Sequence, residues 1–290
     1  MDIAIGLPNA VPGTTGEQLT EWARRADKAG FSSLGTIDRV AYPNLEPLIA
    51  LAAAGAVTER IGLATTIMLT PVRENATMLA EQTASLQKLS GGRVVLGLAV
   101  GGREDDYKAA GVDFSTRGKS FEAMIARMRE VWEGSASSSG SADTSGVGPD
   151  VASDPPKVLM GGGADVVFER AAKFGDGWIM GGGTPDAFAG AREKLEKAWS
   201  DAGRDGKPRT GSLAYFSLGE AAEQNANDYL LDYYEFLGEY AQNIADSAAK
   251  DADTVKGYIQ AFSEAGCDEL FFMPSSSDPD QVDLLAEAAL

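Results

Sequence analysis

The chain has 290 residues, 44% of them hydrophobic and 23% charged, which fits one large soluble core and excludes wholesale disorder. Its formal net charge of -18, from 43 acidic and 25 basic residues, opposes both nucleic acid and an anionic membrane surface as partners. A single cysteine, Cys267, rules out an intramolecular disulfide, and the absence of histidine removes the usual zinc ligands and the Ser-His and Cys-His nucleophile pairs.

The N-terminal "MDIAIGLPNA" has no basic segment leading into a secretory apolar core, and the most apolar run, "LIALAAAGAV", is far short of the ~20 residues that cross a bilayer. A cytoplasmic location is expected. "DIAIGL" predicts a first strand, and residues 17–30 set Leu19, Trp22, Ala23, Ala26 and Ala29 at helical spacing before a stop at Gly30. A second strand, "FSSLGTI", precedes an Ala- and Leu-rich helix over 45–57. "RIGLATTIML" predicts a third strand, 78–89 a helix closed by "SGG", and "RVVLGLAV" a fourth strand. Beyond Gly101 and Gly102 a polar loop leads to a helix over 119–132.

Residues 134–156, "GSASSSGSADTSGVGPDVASDPP", are too poor in large apolar side chains to build a core. They read as a flexible Ser/Gly-rich excursion, the alternative being a lid ordered by substrate. The alternation then resumes with "KVLM", a helix over 165–174, "GWIM", a helix over 185–202, "GSLAYFSL", helical material over 220–264, "DELFFMP" and a last helix over 280–289. Eight strand-then-helix units predict a single (β/α)8 TIM barrel domain spanning 1–290, with its site at the C-terminal ends of the strands.

Three glycine clusters fall at such strand ends: Gly101 and Gly102, then Met-Gly-Gly-Gly twice. Gly161, Gly162 and Gly163 stand before a helix start, where bare backbone and the positive dipole end suit a phosphate; a tight strand-to-helix turn is the other reading. Gly181 and Gly182 precede Thr184, a predicted N-cap, and Pro185 at the first helical position, so turn and phosphate contact stand level, with clearance for a flat ring as a third option. No metal-ligand spacing is present.

The stretch 70–124, "TPVRENATMLAEQTASLQKLSGGRVVLGLAVGGREDDYKAAGVDFSTRGKSFEAM", resembles the bacterial luciferase-like family of flavin and deazaflavin oxidoreductases, and the likeness continues through "EWARRADKAGFSSL", "MGGGADVVFERAAKFGDGWI" and "FSEAGCDELFFMP". The resemblance implies a luciferase-like barrel, a homodimer and a flavin-type ring at the C-terminal mouth. "TTIMLTP" is most similar to members that use coenzyme F420, a hydride carrier; FMN, which also activates O2, is the alternative. It further implies a non-prolyl cis peptide at Thr66-Ile67, forming a bulge beneath the ring.

Where the family often carries Asp-His after strand two, this chain has Asp38-Arg39, and an arginine does not readily shuttle protons. Asp38, Arg39 and Glu104 are the candidate catalytic residues. Arg103 and Arg117 are candidate phosphate partners because guanidinium forks match phosphate oxygens. Asn9 and Thr70 are candidate ring or substrate contacts, and Met68, Trp178, Met180, Tyr215 and Met273 are candidate walls of a substrate pocket, although bulky apolar residues on such strands more often fill the barrel core. The expected function is hydride transfer between F420 and a small organic substrate; a reduced-FMN monooxygenase using O2 and a non-catalytic flavin-binding barrel are the alternatives.

Overall fold

In the computed structural model, which describes residues 1–134, 144 and 146–290, eight parallel strands close into a barrel in sequence order. The first half runs β1 (Asp2–Gly6), α1 (Gly16–Ala29), β2 (Ser33–Ile37), α2 (Pro47–Gly55), β3 (Gly62–Leu69), α3 (Ala76–Ser90), β4 (Val94–Ala99), α4 (Glu104–Ala110) and α5 (Arg117–Trp132). The second runs β5 (Lys157–Gly161), α6 (Asp165–Phe174), β6 (Gly177–Met180), α7 (Pro185–Asp201), β7 (Arg209–Phe216), α8 (Ala222–Tyr233), α9 (Tyr240–Asp246), α10 (Ala252–Glu264), β8 (Glu269–Pro274) and α11 (Asp280–Ala289). All eight predicted strands are present. The "polar loop" after Gly102 is instead the short helix α4, and the helical material over 220–264 is α8, a 3-10 turn at Glu235–Leu237, α9 and α10.

Local chemistry sets the helix ends. Thr15 and Gln18 form a reciprocal capping box on α1, Glu46 caps α2 from one residue inside the predicted start, and Thr184 caps α7 with Pro185 following it, as predicted. Gly91, in the left-handed region at φ 71°, ends α3. The "LSGGR" segment then serves the N-terminal floor of the barrel. Arg93 donates to the carbonyls of Ser90 (2.7 Å), Ile61 (2.8 Å), Thr58 (3.1 Å) and Gly55 (3.2 Å), tying the α2–β3 connection to the start of β4.

Two apolar clusters divide the core by strand parity. Ile5, Leu34, Leu63, Leu96, Val158, Leu270 and Phe272 face the helices, while Ala4, Ile37, Ala64, Leu159, Ile179, Leu213 and Phe271 fill the lumen. Of the predicted excursion, 135–143 and 145 lie outside the described residues. Val151 is buried in the helix-facing cluster, and Gln87 donates to the carbonyl of Asp154 at 3.0 Å, so the end of this segment rests on α3.

Candidate functional site

The mouth is organised by a bulge in β3. Thr65 pairs with Leu96 and Met68 with Leu98, so Thr66 and Ile67 together oppose Gly97, and the register against β2 slips at the same place. Gly97 is required there: a Cβ on it would lie 2.1 Å from the Thr66 carbonyl oxygen and 2.3 Å from that of Thr65. The bulge is the predicted one, but its origin differs. Every peptide bond among the described residues is trans, and an extra residue in the strand, not a cis Thr66-Ile67 bond, makes it.

Ile67 also explains the first glycine of the first Met-Gly-Gly-Gly. Its Cδ1 atom would lie 2.8 Å from a Cβ on Gly161, so the end of β5 is bare where the bulge residue reaches it, whereas a Cβ on Gly181 would meet Ile67 at an ordinary contact distance of 3.7 Å. Gly162 and Gly182, at φ 127° and 118°, turn the chain through a region other residues avoid. Gly163 is exposed and a side chain there would meet open space, and Ala164, the N-cap of α6, gives the helix no side-chain cap. The Val167 N–H bonds the Ala164 carbonyl at 2.8 Å, and Asp165 sets a carboxylate in the first turn.

Two of the three candidate catalytic residues, Asp38 and Arg39, are held by partners on other elements. Asp38 accepts from the Leu69 N–H (2.9 Å) and from Arg73 Nη1 (2.7 Å); burial pushes its carboxyl above the ordinary value, with Arg73 pulling the other way. Arg39 is buried and donates to Asp106 Oδ2 (2.7 Å) and Asp105 Oδ2 (3.1 Å), and Asp106 Oδ1 accepts from the N–H groups of Val40 and Ala41 (2.8 Å each). Glu104 is exposed at the first position of α4, turned to solvent while its neighbours Asp105 and Asp106 make these bonds. Those two aspartates were missed from sequence, where "GREDDY" offered three acids and no way to choose among them.

Other candidates are also placed elsewhere. Arg103 pairs with Asp105, holding that carboxyl down at about 2, and stacks 3.8 Å from the Phe236 ring centroid. Arg117 folds back on its own turn, donating to the Phe114 carbonyl at 2.9 Å and covering that ring. Asn9 is fully buried and bridges Ile37 and Leu45 through its carboxamide, and Thr70 is fully buried beside the β4 end. Met68, Trp178 and Met180 lie on the helix-facing side, Trp178 between Phe168 and Phe188 with its Nε1 donating to the Gly162 carbonyl at 2.6 Å. They are shell core and do not wall a pocket. Tyr215 and Met273 do face the lumen.

What covers the mouth is the aromatic side of α8. Tyr229, Leu230 and Tyr233 are buried in one cluster with the lumen residues Ile37, Leu213 and Met273, and Ile67, Tyr42, Tyr215 and Tyr234 pack against it. Tyr42 meets Tyr233 edge-on at 5.0 Å, and the hydroxyls of Tyr215 and Tyr234 are 2.9 Å apart. Burial raises the phenols of Tyr215, Tyr229 and Tyr233 well above the usual value, so they stay protonated. Tyr229 and Tyr233 thus lie on the lumen beside the partly exposed bulge residue Ile67, while Gly163 and the start of α6 stand exposed.

The family model described as luciferase-like monooxygenase matches residues 1–283. The chain belongs to this family. An uncharacterized protein of Mycobacterium tuberculosis is 30% identical over 212 residues, covering 63% of this chain and 71% of that one. Monooxygenase RslO1 from Streptomyces bottropensis superposes with a TM-score of 0.82 at 19% identity, covering 99% of this chain and 98% of that one. An F420-dependent secondary alcohol dehydrogenase, solved with an F420-acetone adduct, gives a TM-score of 0.81 at 20% identity, covering 99% and 97%. At these identities the two structures bear on the fold alone, and the luciferase-like barrel is the fold of this chain. Among the described residues no helix is long and apolar enough to cross a membrane.

Proposed function

We propose that this luciferase-like protein is a cytoplasmic oxidoreductase that moves a hydride between coenzyme F420 and a small organic substrate. The observation that carries the reading is the Thr66-Ile67 bulge at the barrel mouth, seated on Gly97 and facing the bare ends of β5 and β6. F420 would supply the hydride chemistry, and the protein would supply position and exclusion of water. The phosphate arm is assigned to Gly162, Gly163 and the uncapped start of α6, where backbone N–H groups and the helix dipole favour an anion.

The second reading, a reduced-FMN monooxygenase using O2, is favoured by the family description and by the likeness to a monooxygenase. A non-catalytic flavin-binding barrel draws support from Asp38 and Arg39, both of which are taken up in loop contacts. A homodimer belongs to the same proposal. Ile49 on α2, and Met78 and Leu89 on α3, are 71%, 49% and 82% exposed around a cavity of about 940 Å³, an apolar face of the kind a second subunit covers.

Fluorescence titration of the purified protein with F420 and with FMN, side by side, tests the cofactor assignment. Saturable binding of F420 alone supports hydride transfer, preference for FMN supports the oxygenase, and binding of neither sinks both. In the same titration Gly163→Asp, which adds a like charge at an open position, is expected to weaken cofactor binding roughly tenfold with an unchanged melting temperature. Equal affinity in wild type and variant would remove the phosphate from this helix start. Gly161 is unsuited to that test, because a side chain there collides with Ile67.

A further inference from the structure

The segment 219–248 leaves and re-enters the barrel at one place. Before it, Leu218 is clamped by the Gln281 carboxamide, which accepts from the Leu218 N–H (2.7 Å) and donates to its carbonyl (2.8 Å). After it, Ala249 is bridged to the end of β7, donating to the Tyr215 carbonyl (2.8 Å) and accepting from the Ser217 N–H (3.0 Å). Between these fixed points stand α8, the 3-10 turn and α9, with Gly219 at φ 88° next to the first clamp and Gly238 at φ 57° joining the turn to α9. Such a segment can swing about its ends without disturbing the register of the barrel.

Few polar contacts hold its inner face down. Tyr42 Oη donates to Asp232 Oδ2 at 2.6 Å, the Tyr215 and Tyr234 hydroxyls meet at 2.9 Å, and Asn225 Nδ2 donates to Ser217 Oγ at 3.1 Å. Arg39 lies over the Tyr233 ring, Arg103 over the Phe236 ring, and Glu223 pairs with Lys250 at 2.9 Å; the rest of the closure is aromatic packing of Tyr229 and Tyr233 into the mouth.

We infer that the aromatic face of α8 is a self-inserted plug: Tyr229, Tyr233 and Tyr234 occupy the space a planar cofactor ring takes, and the ring enters only when 219–248 swings away from the mouth. The inference rests on the oxidoreductase reading for the identity of the ring. It assigns to the chain's own tyrosines a competitive role, so the closed and the cofactor-bound states exclude each other. The open state is the binding-competent one, and its small population lowers the apparent affinity.

Stopped-flow mixing of the apo protein with F420, and separately with FMN, reads this out. Opening before binding predicts an observed rate that levels off as ligand is raised, because the limiting step belongs to the protein. Tyr42→Phe deletes the outer latch while keeping the ring packing, and is expected to raise that limiting rate roughly three- to tenfold. Tyr233→Ala is expected to tighten equilibrium binding by about tenfold or more, reading the competition directly. Hydrogen exchange of 222–246 should speed up in the bound protein. Ligand binding with a rate linear in concentration, or weaker binding by Tyr233→Ala with Tyr42→Phe unchanged, overturns the plug and leaves the oxidoreductase reading intact. Binding of neither cofactor to wild type or to either variant overturns both.

Discussion

Asp106→Ala is expected to cost the fold about 3–5 kcal/mol, the range for removing one partner of a buried ion pair. Both side chains of the Arg39–Asp106 pair are almost wholly buried, at 6% and 2% exposure, so water cannot replace the lost carboxylate. The same substitution strips the N–H groups of Val40 and Ala41 of their acceptor, and it unties the β2 loop from α4. Asp105, 42% exposed, contacts the same guanidinium, yet Asp105→Asn is expected to cost under about 1 kcal/mol because solvent screens that pair. Urea denaturation of the two variants beside wild type measures the contrast. Adding Arg39→Met to Asp106→Asn should recover part of the loss relative to Asp106→Asn alone, since it removes the uncompensated charge. Equal midpoints for Asp106→Ala and wild type would show that this clamp does not hold the mouth.

Gly97→Ala is expected to cost about 3 kcal/mol, at the upper end of what overpacking usually does. The added methyl would meet the carbonyl oxygens of Thr65 and Thr66, which are backbone and cannot turn aside as a side chain would. Relief requires that β3 lose its bulge or that β3 and β4 separate, and either change draws Ile67 away from the ends of β5 and β6. Gly102→Ala is the control, because its Cβ would stand in open space and its φ is not in the left-handed region. A thermal melt in which Gly97→Ala matches Gly102→Ala would show that the bulge yields at little cost.

The strands and most helices were legible because their signals are local: apolar runs, capping residues and stop glycines. Which face of a strand looks inward was not legible for Met68, Trp178 and Met180. Strands buried on both sides carry no polar alternation, so periodicity cannot tell lumen from shell. The contacts of Asp38 and Arg39 were not legible for another reason. Their partners Arg73 and Asp106 lie 35 and 67 residues further on, and pairing over such separations leaves no trace in spacing. The bulge was placed through the family resemblance, while the extra residue that makes it emerged only from the pairing of β3 with β4 and its trans bonds from the backbone. A signal for the mouth cover was present and unused: "YLLDYYEFLGEY" holds four of the chain's eight tyrosines, with Tyr229 and Tyr233 one helical turn apart.

The hydrogen-bonded neck at Leu218 and Ala249 has a consequence for how the barrel can change over time. Because the two ends of 219–248 are already brought together at β7, the entropy of closing that loop depends only weakly on how much chain lies between them. Insertions, deletions and replacements inside the neck therefore leave the eight-strand register alone while remaking the roof above the lumen. The neck works as a socket into which different covers can be fitted, so specificity can diverge in this one stretch while the bulge and the Arg93 floor stay fixed.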